Sequence, residues 1–207
     1  LLNMGTFVNV FILPYFASEI MGVSPVTLGI FLMLTSVAIS MCSPAGGYIS
    51  DRVGPGLVTV VGMLVVTIGL ASFTMLSKDA SVTEVAVRMF VVGAGMGIFQ
   101  SANLSLIMGG VPVEGLGTGG ALSAISRGMG CVTAVAVMGG IFASIYNLNS
   151  PGVGILSAGA TNESVNAYVA AFRIVYWVAA VLTALGMVTS FLAWKGIDLR
   201  RLRRITK

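Results

Sequence analysis

Residues 26–49, VTLGIFLMLTSVAISMCSPAGGYI, run for 24 positions without a charge. The stretch Ser50-Asp51-Arg52-Val53-Gly54-Pro55-Gly56 interrupts them, and residues 57–76, LVTVVGMLVVTIGLASFTML, continue uncharged for 20 more. Crossing a hydrocarbon layer takes about 20 helical residues. Each run is long enough to span a membrane, and the short charged break predicts two antiparallel helices joined at one membrane face. Strand-length segments of alternating polarity are absent, which argues against a membrane barrel. Outward from this pair, the same criterion marks 2–21, 85–110, 117–146 and 168–194 as further spans. The expectation is an all-α membrane protein, a six-transmembrane-helix bundle over 1–194 followed by a basic tail at 195–207.

Composition supports this. Of 207 residues 57% are hydrophobic and 9% charged, where an ordinary soluble domain carries about 25% charged residues. Seven acidic and eleven basic side chains cannot cover a water-exposed surface of this size. Cytosolic enzymes, nucleic-acid modules and secreted disulfide scaffolds are set aside. Cys42 and Cys131 lie inside apolar runs and read as small hydrophobes, not a disulfide pair. With no histidine, His-based metal sites and proton relays are excluded. No nucleophile–base pair or paired carboxylates appear at a membrane face, so no catalytic residue, metal or cofactor is expected. The chain opens Leu1-Leu2-Asn3, and its first apolar run of about 21 residues is too long for a signal-peptide core. It is expected to continue something longer.

The tail holds Lys195, Arg200, Arg201, Arg203, Arg204 and Lys207 against Asp198 alone. Basic residues concentrate on the cytoplasmic side, so this end is expected in the cytoplasm, and an even number of spans puts Leu1 there too. The expected location is the plasma membrane, crossed several times. Arg52 is then cytoplasmic, and Lys78 is the one basic residue in an outer connection. Tyr168, Tyr176 and Trp177 fall at the outer end of the last span and Trp194 at its inner end, as interfacial anchors. The tail reads as an orientation signal attracted to anionic lipid. The lipid bilayer is an expected partner and nucleic acid is not.

Polar side chains inside spans are costly unless they face a partner or a wet cavity. Asn3, Thr6 and Asn9 recur every three residues in the first span, and Gln100 and Asn103 do so in the fourth. These stripes either line a shared aqueous path or hydrogen-bond between helices. Arg127 lies about ten positions, or roughly 15 Å, into the fifth span. It is either an anion-attracting or gating charge or a structural arginine bonded to exposed carbonyls. Glu19, Arg88 and Arg173 sit near outer helix ends, where long side chains reach water. No carboxylate is placed at mid-membrane. Gly93-x-Gly95-x-Gly97 and the small pairs Ala124/Gly128, Gly130/Ala134, Ala136/Gly140 and Gly139/Ala143 predict close helix packing. Asn162-Glu163-Ser164 is a weak glycosylation pattern on the expected outer side.

Gly47-Tyr48-Ile49-Ser50-Asp51-Arg52-Val53-Gly54 resembles the loop signature of the major facilitator superfamily: Gly, three residues, Asp, a basic residue, any residue, Gly. It lies between the second and third helices of a six-helix unit, where that family places it. Pro55 and Gly56 depart from the basic residues that usually follow. Leu13-Pro14-Tyr15 with Gly22-Val23-Ser24-Pro25, Gln100 through Val111-Pro112, and Arg127-Gly128-x-Gly130 resemble the last six helices of the fourteen-helix drug:proton antiporter branch. The resemblance implies one half of a major facilitator fold, a 3+3 inverted repeat that rocks against a second half about a central cavity. It implies that the first and fourth helices line that cavity while the third and sixth face lipid. Gly47, Asp51, Arg52 and Gly54 would form a conformational latch against the other half, which would also hold the main proton-coupling carboxylates.

The expected function is secondary transport of a small-molecule substrate, with proton-coupled export of amphipathic drugs or other small organic compounds as the leading form. The proton gradient is the expected energy source. The expected substrate path is Asn3, Thr6, Asn9, Gln100, Asn103 and Arg127, and the expected partner is the N-terminal half of the same transporter or a second membrane chain. A sugar, organic acid or osmolyte transporter keeps the fold and changes the cargo. A non-transporting membrane partner or inactive fragment is the reading from another class.

Overall fold

The structure is a computed structural model that describes residues 1–76, 80–149 and 162–205. Among the described residues all regular structure is helical. Helix α1 comprises Leu2–Thr6, Val8–Phe11 and Leu13–Tyr15 and closes with a wide π turn, Phe16–Ile20. It is followed by α2 (Pro25–Val53), α3 (Pro55–Phe73), α4 (Val82–Gly109), a 3₁₀ turn (Val113–Gly115), α5 (Leu116–Asn149) and α6 (Asn162–Ile205). The last five are long and apolar enough to cross a membrane, whereas the apolar part of α1 covers only Leu2–Ser18. These consecutive helical pieces occupy the span expected over 2–21, with local interruptions. Pro14 has no N–H to give the carbonyl four residues back, so the hydrogen-bond ladder fails locally.

Helix ends follow local chemistry. The Ser24 hydroxyl accepts the Thr27 N–H at 3.3 Å, with Pro25 in the first turn of α2. The Ser81 hydroxyl accepts the Glu84 N–H at 3.2 Å and starts α4 slightly before the expected residue 85. At the α2–α3 junction, a loop was expected over 51–56. Instead Asp51 and Arg52 belong to the last turn of α2, and Gly54 alone separates the helices. Its φ of +99° suits a residue without Cβ, and Pro55, with φ fixed and no N–H to satisfy, begins α3. Helix α6 runs past Trp194 into the basic segment as far as Ile205. Apolarity marks where lipid contact stops, not where backbone hydrogen bonding does.

Helix α4 is the packing centre. A Cβ on Gly93 or Gly97 would come within 2.6 Å of the Thr35 or Ile39 carbonyl of α2, and one on Gly95 within 2.8 Å of Val66 of α3. The glycine triplet is a close-approach face, with alternate members turned to different neighbours. Helix α3 in turn packs on α6, where the Thr67 hydroxyl donates to that of Thr183 at 3.1 Å. The short α1 lies between α5 and α6 over an aromatic core in which Phe16 stacks on Phe172 (4.5 Å between centroids) and Phe73 on Tyr176 (4.8 Å). Tyr168 and Tyr176, expected as interfacial anchors, are corrected to this core. Their hydroxyls donate to the Ile12 carbonyl (3.3 Å) and the Asn9 side chain (2.6 Å), so neither needs headgroup water. Trp177 stays exposed and heads an apolar stripe with Val181, Leu185, Val188 and Leu192; α3 exposes Val61, Leu64 and Ile68.

Helices α2 and α5 are the least covered, with 11% and 17% of their central stretches buried against 50% for α3. Each therefore presents a face that this chain leaves unpacked. On α5, a Cβ at Gly128 or Gly140 would meet nothing within 4 Å, so the pairs Ala124/Gly128 and Ala136/Gly140 do not make the close contacts expected within the chain.

Candidate functional site

Helices α4 and α5 meet over little of their length. A cavity of about 550 Å³ fills the wedge between them. Its walls are the first turn of α1 (Leu1, Leu2, Asn3), Ser43 of α2, the second half of α4 (Phe99, Gln100, Ser101, Asn103, Leu104, Ile107), Val111, and the start of α5 (Gly119, Leu122, Ser123, Ser126, Arg127). It thus lies in the half of the bundle nearest the α2–α3 junction. In the opposite half α1 closes on α5: the gap among Phe7, Val8, Phe11, Ile12, Ala134, Val135 and Met138 has no room for water.

Four of the six expected path residues, Asn3, Gln100, Asn103 and Arg127, share this cavity. Thr6 and Asn9 do not. The Thr6 hydroxyl donates to the Leu2 carbonyl at 3.0 Å, and Asn9 is buried with its Oδ1 accepting from Tyr176 at 2.6 Å and its Nδ2 without a partner among the described residues. A step of three residues falls about 60° short of a full helical turn. Asn9 is therefore rotated by about 120° from Asn3, toward α6. Sequence reasoning missed Ser43, Ser101, Ser123 and Ser126, because a serine costs little inside a bundle and seldom stands out. A signal was present on α5, where Gly119, Ser123 and Ser126 recur at steps of four and three, along one helix face.

Arg127 lies eleven residues into α5, roughly 16 Å along its axis. Its side chain is exposed and has no ion-pair or hydrogen-bond partner among the described residues. Arg88 pairs with Glu84 at 3.2 Å, and Arg173 donates to the Leu76 carbonyl at 3.2 Å, fastening α6 to the end of α3. The Arg52 guanidinium stacks 4.3 Å above the Tyr48 ring beside the exposed Asp51. Gly47 faces the Ser101 hydroxyl on the cavity wall, and Gly54 is the hinge-like junction already described. Both cysteines are free. Among the described residues no cluster of metal-ligating side chains occurs. The side chains of Glu19 and of Asn162-Glu163-Ser164, together with Lys78, lie outside the described residues.

These features define an all-α, multi-pass membrane protein whose bundle holds a largely apolar cavity carrying a few polar side chains. The family model of the Major Facilitator Superfamily matches residues 1–205, and the chain belongs to that superfamily. It is 24% identical to a riboflavin transporter, RibZ, of Clostridioides difficile (strain 630), over 91% of this chain and 39% of that protein. It is 30% identical to an uncharacterized transporter, YebQ, of Escherichia coli (strain K12), over 57% of this chain and 26% of that one. It is 25% identical to the multidrug efflux pump LfrA of Mycolicibacterium smegmatis (strain ATCC 700084 / mc(2)155), over 63% of this chain and 26% of the pump. The chain thus spans less than half the length of the curated relatives it matches.

Proposed function

We propose that this chain is the C-terminal half of a secondary transporter that exports amphipathic organic compounds in exchange for protons across the plasma membrane. One observation carries the reading: in a chain of this superfamily, polar groups from three helices, Asn3, Gln100, Asn103 and Arg127, converge on one cavity. Apolar walls with a few amides and hydroxyls suit broad selection of amphipathic molecules. The exposed faces of α2 and α5 flank the cavity and receive the N-terminal half, and rocking of the two halves exposes the site alternately. The Asp51–Gly54 segment latches one of these states, and the two ends of the 207-residue chain lie on the cytoplasmic side. The protonated group that couples transport lies in the other half. The test is efflux of an amphipathic dye by the complete transporter in proteoliposomes bearing a proton gradient. Efflux that collapses with a protonophore supports the reading; efflux indifferent to it removes the coupling. A second reading, transport of a defined solute such as riboflavin, is favoured by the 91% coverage of this chain in the match to the riboflavin transporter. Saturable riboflavin transport without dye efflux selects it.

A further inference from the structure

The wall of the cavity is electrically one-sided. Of the arginines whose side chains are described, Arg52 stacks on Tyr48, Arg88 pairs with Glu84 and Arg173 caps the end of α3, whereas Arg127 has no protein partner among the described residues. A charge roughly 16 Å along a membrane-crossing helix is tolerated only where water or a counter-charge reaches it, and the cavity is where Arg127 is reached. Around it stand Asn3, Gln100, Asn103, Ser123 and Ser126, all neutral, and no acidic side chain among the described residues lines the space. A lone cation in a concavity with partly apolar walls gives that concavity a positive bias that draws anions toward it. Leu2, Phe99, Leu104 and Leu122 supply apolar wall. The volume, about 550 Å³, lies in the range of small-molecule sites.

We propose that Arg127 makes this cavity a site for amphipathic organic anions: a carboxylate or phenolate meets the guanidinium while the rigid apolar body lies against the α4 and α5 walls. A guanidinium's planar fork matches two acceptor oxygens at once, which a lysine ammonium does not. The Ser123 and Ser126 hydroxyls and the Asn103 amide add neutral donors. This inference rests on the transporter reading in one respect, that the cavity receives the substrate.

The test is fluorescence anisotropy on the purified complete transporter with two dyes that share a xanthene body, fluorescein, anionic at neutral pH, and rhodamine 123, cationic. The expected result is at least tenfold tighter binding of fluorescein, a preference abolished by Arg127→Gln and only partly kept by Arg127→Lys. Equal or tighter binding of rhodamine 123 to the unmodified protein overturns the proposal, as does a fluorescein preference that survives Arg127→Gln. The unmodified protein's ratio decides the matter even if Arg127→Gln fails to fold. Selective binding of fluorescein with no translocation leaves this inference standing and sinks the transport reading. Translocation of rhodamine 123 in preference to fluorescein does the reverse.

Discussion

Asn9 and Tyr176 offer a direct measure of whether α1 is fastened to α6 or free to face the cavity. The Tyr176 hydroxyl donates to Asn9 Oδ1 at 2.6 Å, both residues are buried, and Asn9 Nδ2 already lacks a partner. Tyr176→Phe leaves the whole carboxamide unsatisfied. Hydrogen bonds between membrane helices contribute about 0.6 to 2 kcal/mol each, and a buried polar group left unpaired costs about 1 to 3 kcal/mol. The expected loss is about 1 to 2 kcal/mol, or several degrees in unfolding temperature at roughly 2 to 4 °C per kcal/mol. Asn9→Leu strands the Tyr176 hydroxyl and is expected to cost a similar amount. The double variant Asn9→Leu/Tyr176→Phe removes both polar groups and is expected to recover most of the loss, since paired replacement by apolar groups is close to neutral. Thermal unfolding in detergent, followed with a thiol-reactive dye on the free and half-buried Cys42 and Cys131, reads all four proteins. A double variant that loses the sum of the two single losses would refute the pairing. Asn9→Leu with unchanged stability and impaired transport would put Asn9 back on the substrate path.

Three further substitutions separate packing from backbone geometry. Gly97→Ala drives a Cβ to 2.6 Å from the Ile39 carbonyl and is expected to cost about 1 to 3 kcal/mol in the same unfolding assay, while Gly128→Ala, which meets nothing within 4 Å in this chain, is expected to cost nothing and to add up to about 1 kcal/mol of helix stability. Gly54→Ala meets open space but must hold φ at +99°, so about 1 to 3 kcal/mol of backbone strain is expected with no steric clash. Gly54→Ala as stable as the parent protein would show that the α2–α3 junction tolerates another conformation.

Much of the fold was legible because membrane solvation imposes a length rule: apolar runs near 20 residues with at most one charge stand out in a single sequence. The Gly54-Pro55 step and the Ser81-x-x-Glu84 cap mark helix ends in the structure, where the expected bounds rested on apolarity alone. Hydropathy reports lipid contact, which is why it stopped α6 at Trp194 when the helix continues to Ile205. The breaks in α1 have no plain sequence signal beyond Pro14; within the π turn Phe16–Ile20, the Phe16 ring stacks on Phe172. For the site, costly residues gave the strongest signal. Gln100, Asn103 and Arg127 stand out in apolar surroundings and do meet in one cavity. Thr6 and Asn9 were grouped with Asn3 by spacing alone, and the 60° lag per step carried them to a different neighbour. Tyr168 and Tyr176 look like interfacial residues in sequence, and only their partners across α1 show them to be core.

We propose that in the complete transporter the wedge between α4 and α5 is the aqueous substrate path and that the Asn9 side of α1 is not. Single cysteines at positions 103 and 9, made as Asn103→Cys and Asn9→Cys in a Cys42→Ala/Cys131→Ala background of the complete transporter, test it directly with a hydrophilic maleimide. Rapid labelling at position 103, slowed by a transported dye, and little labelling at position 9 are expected. Comparable labelling at position 9 with no dye protection at position 103 would contradict it.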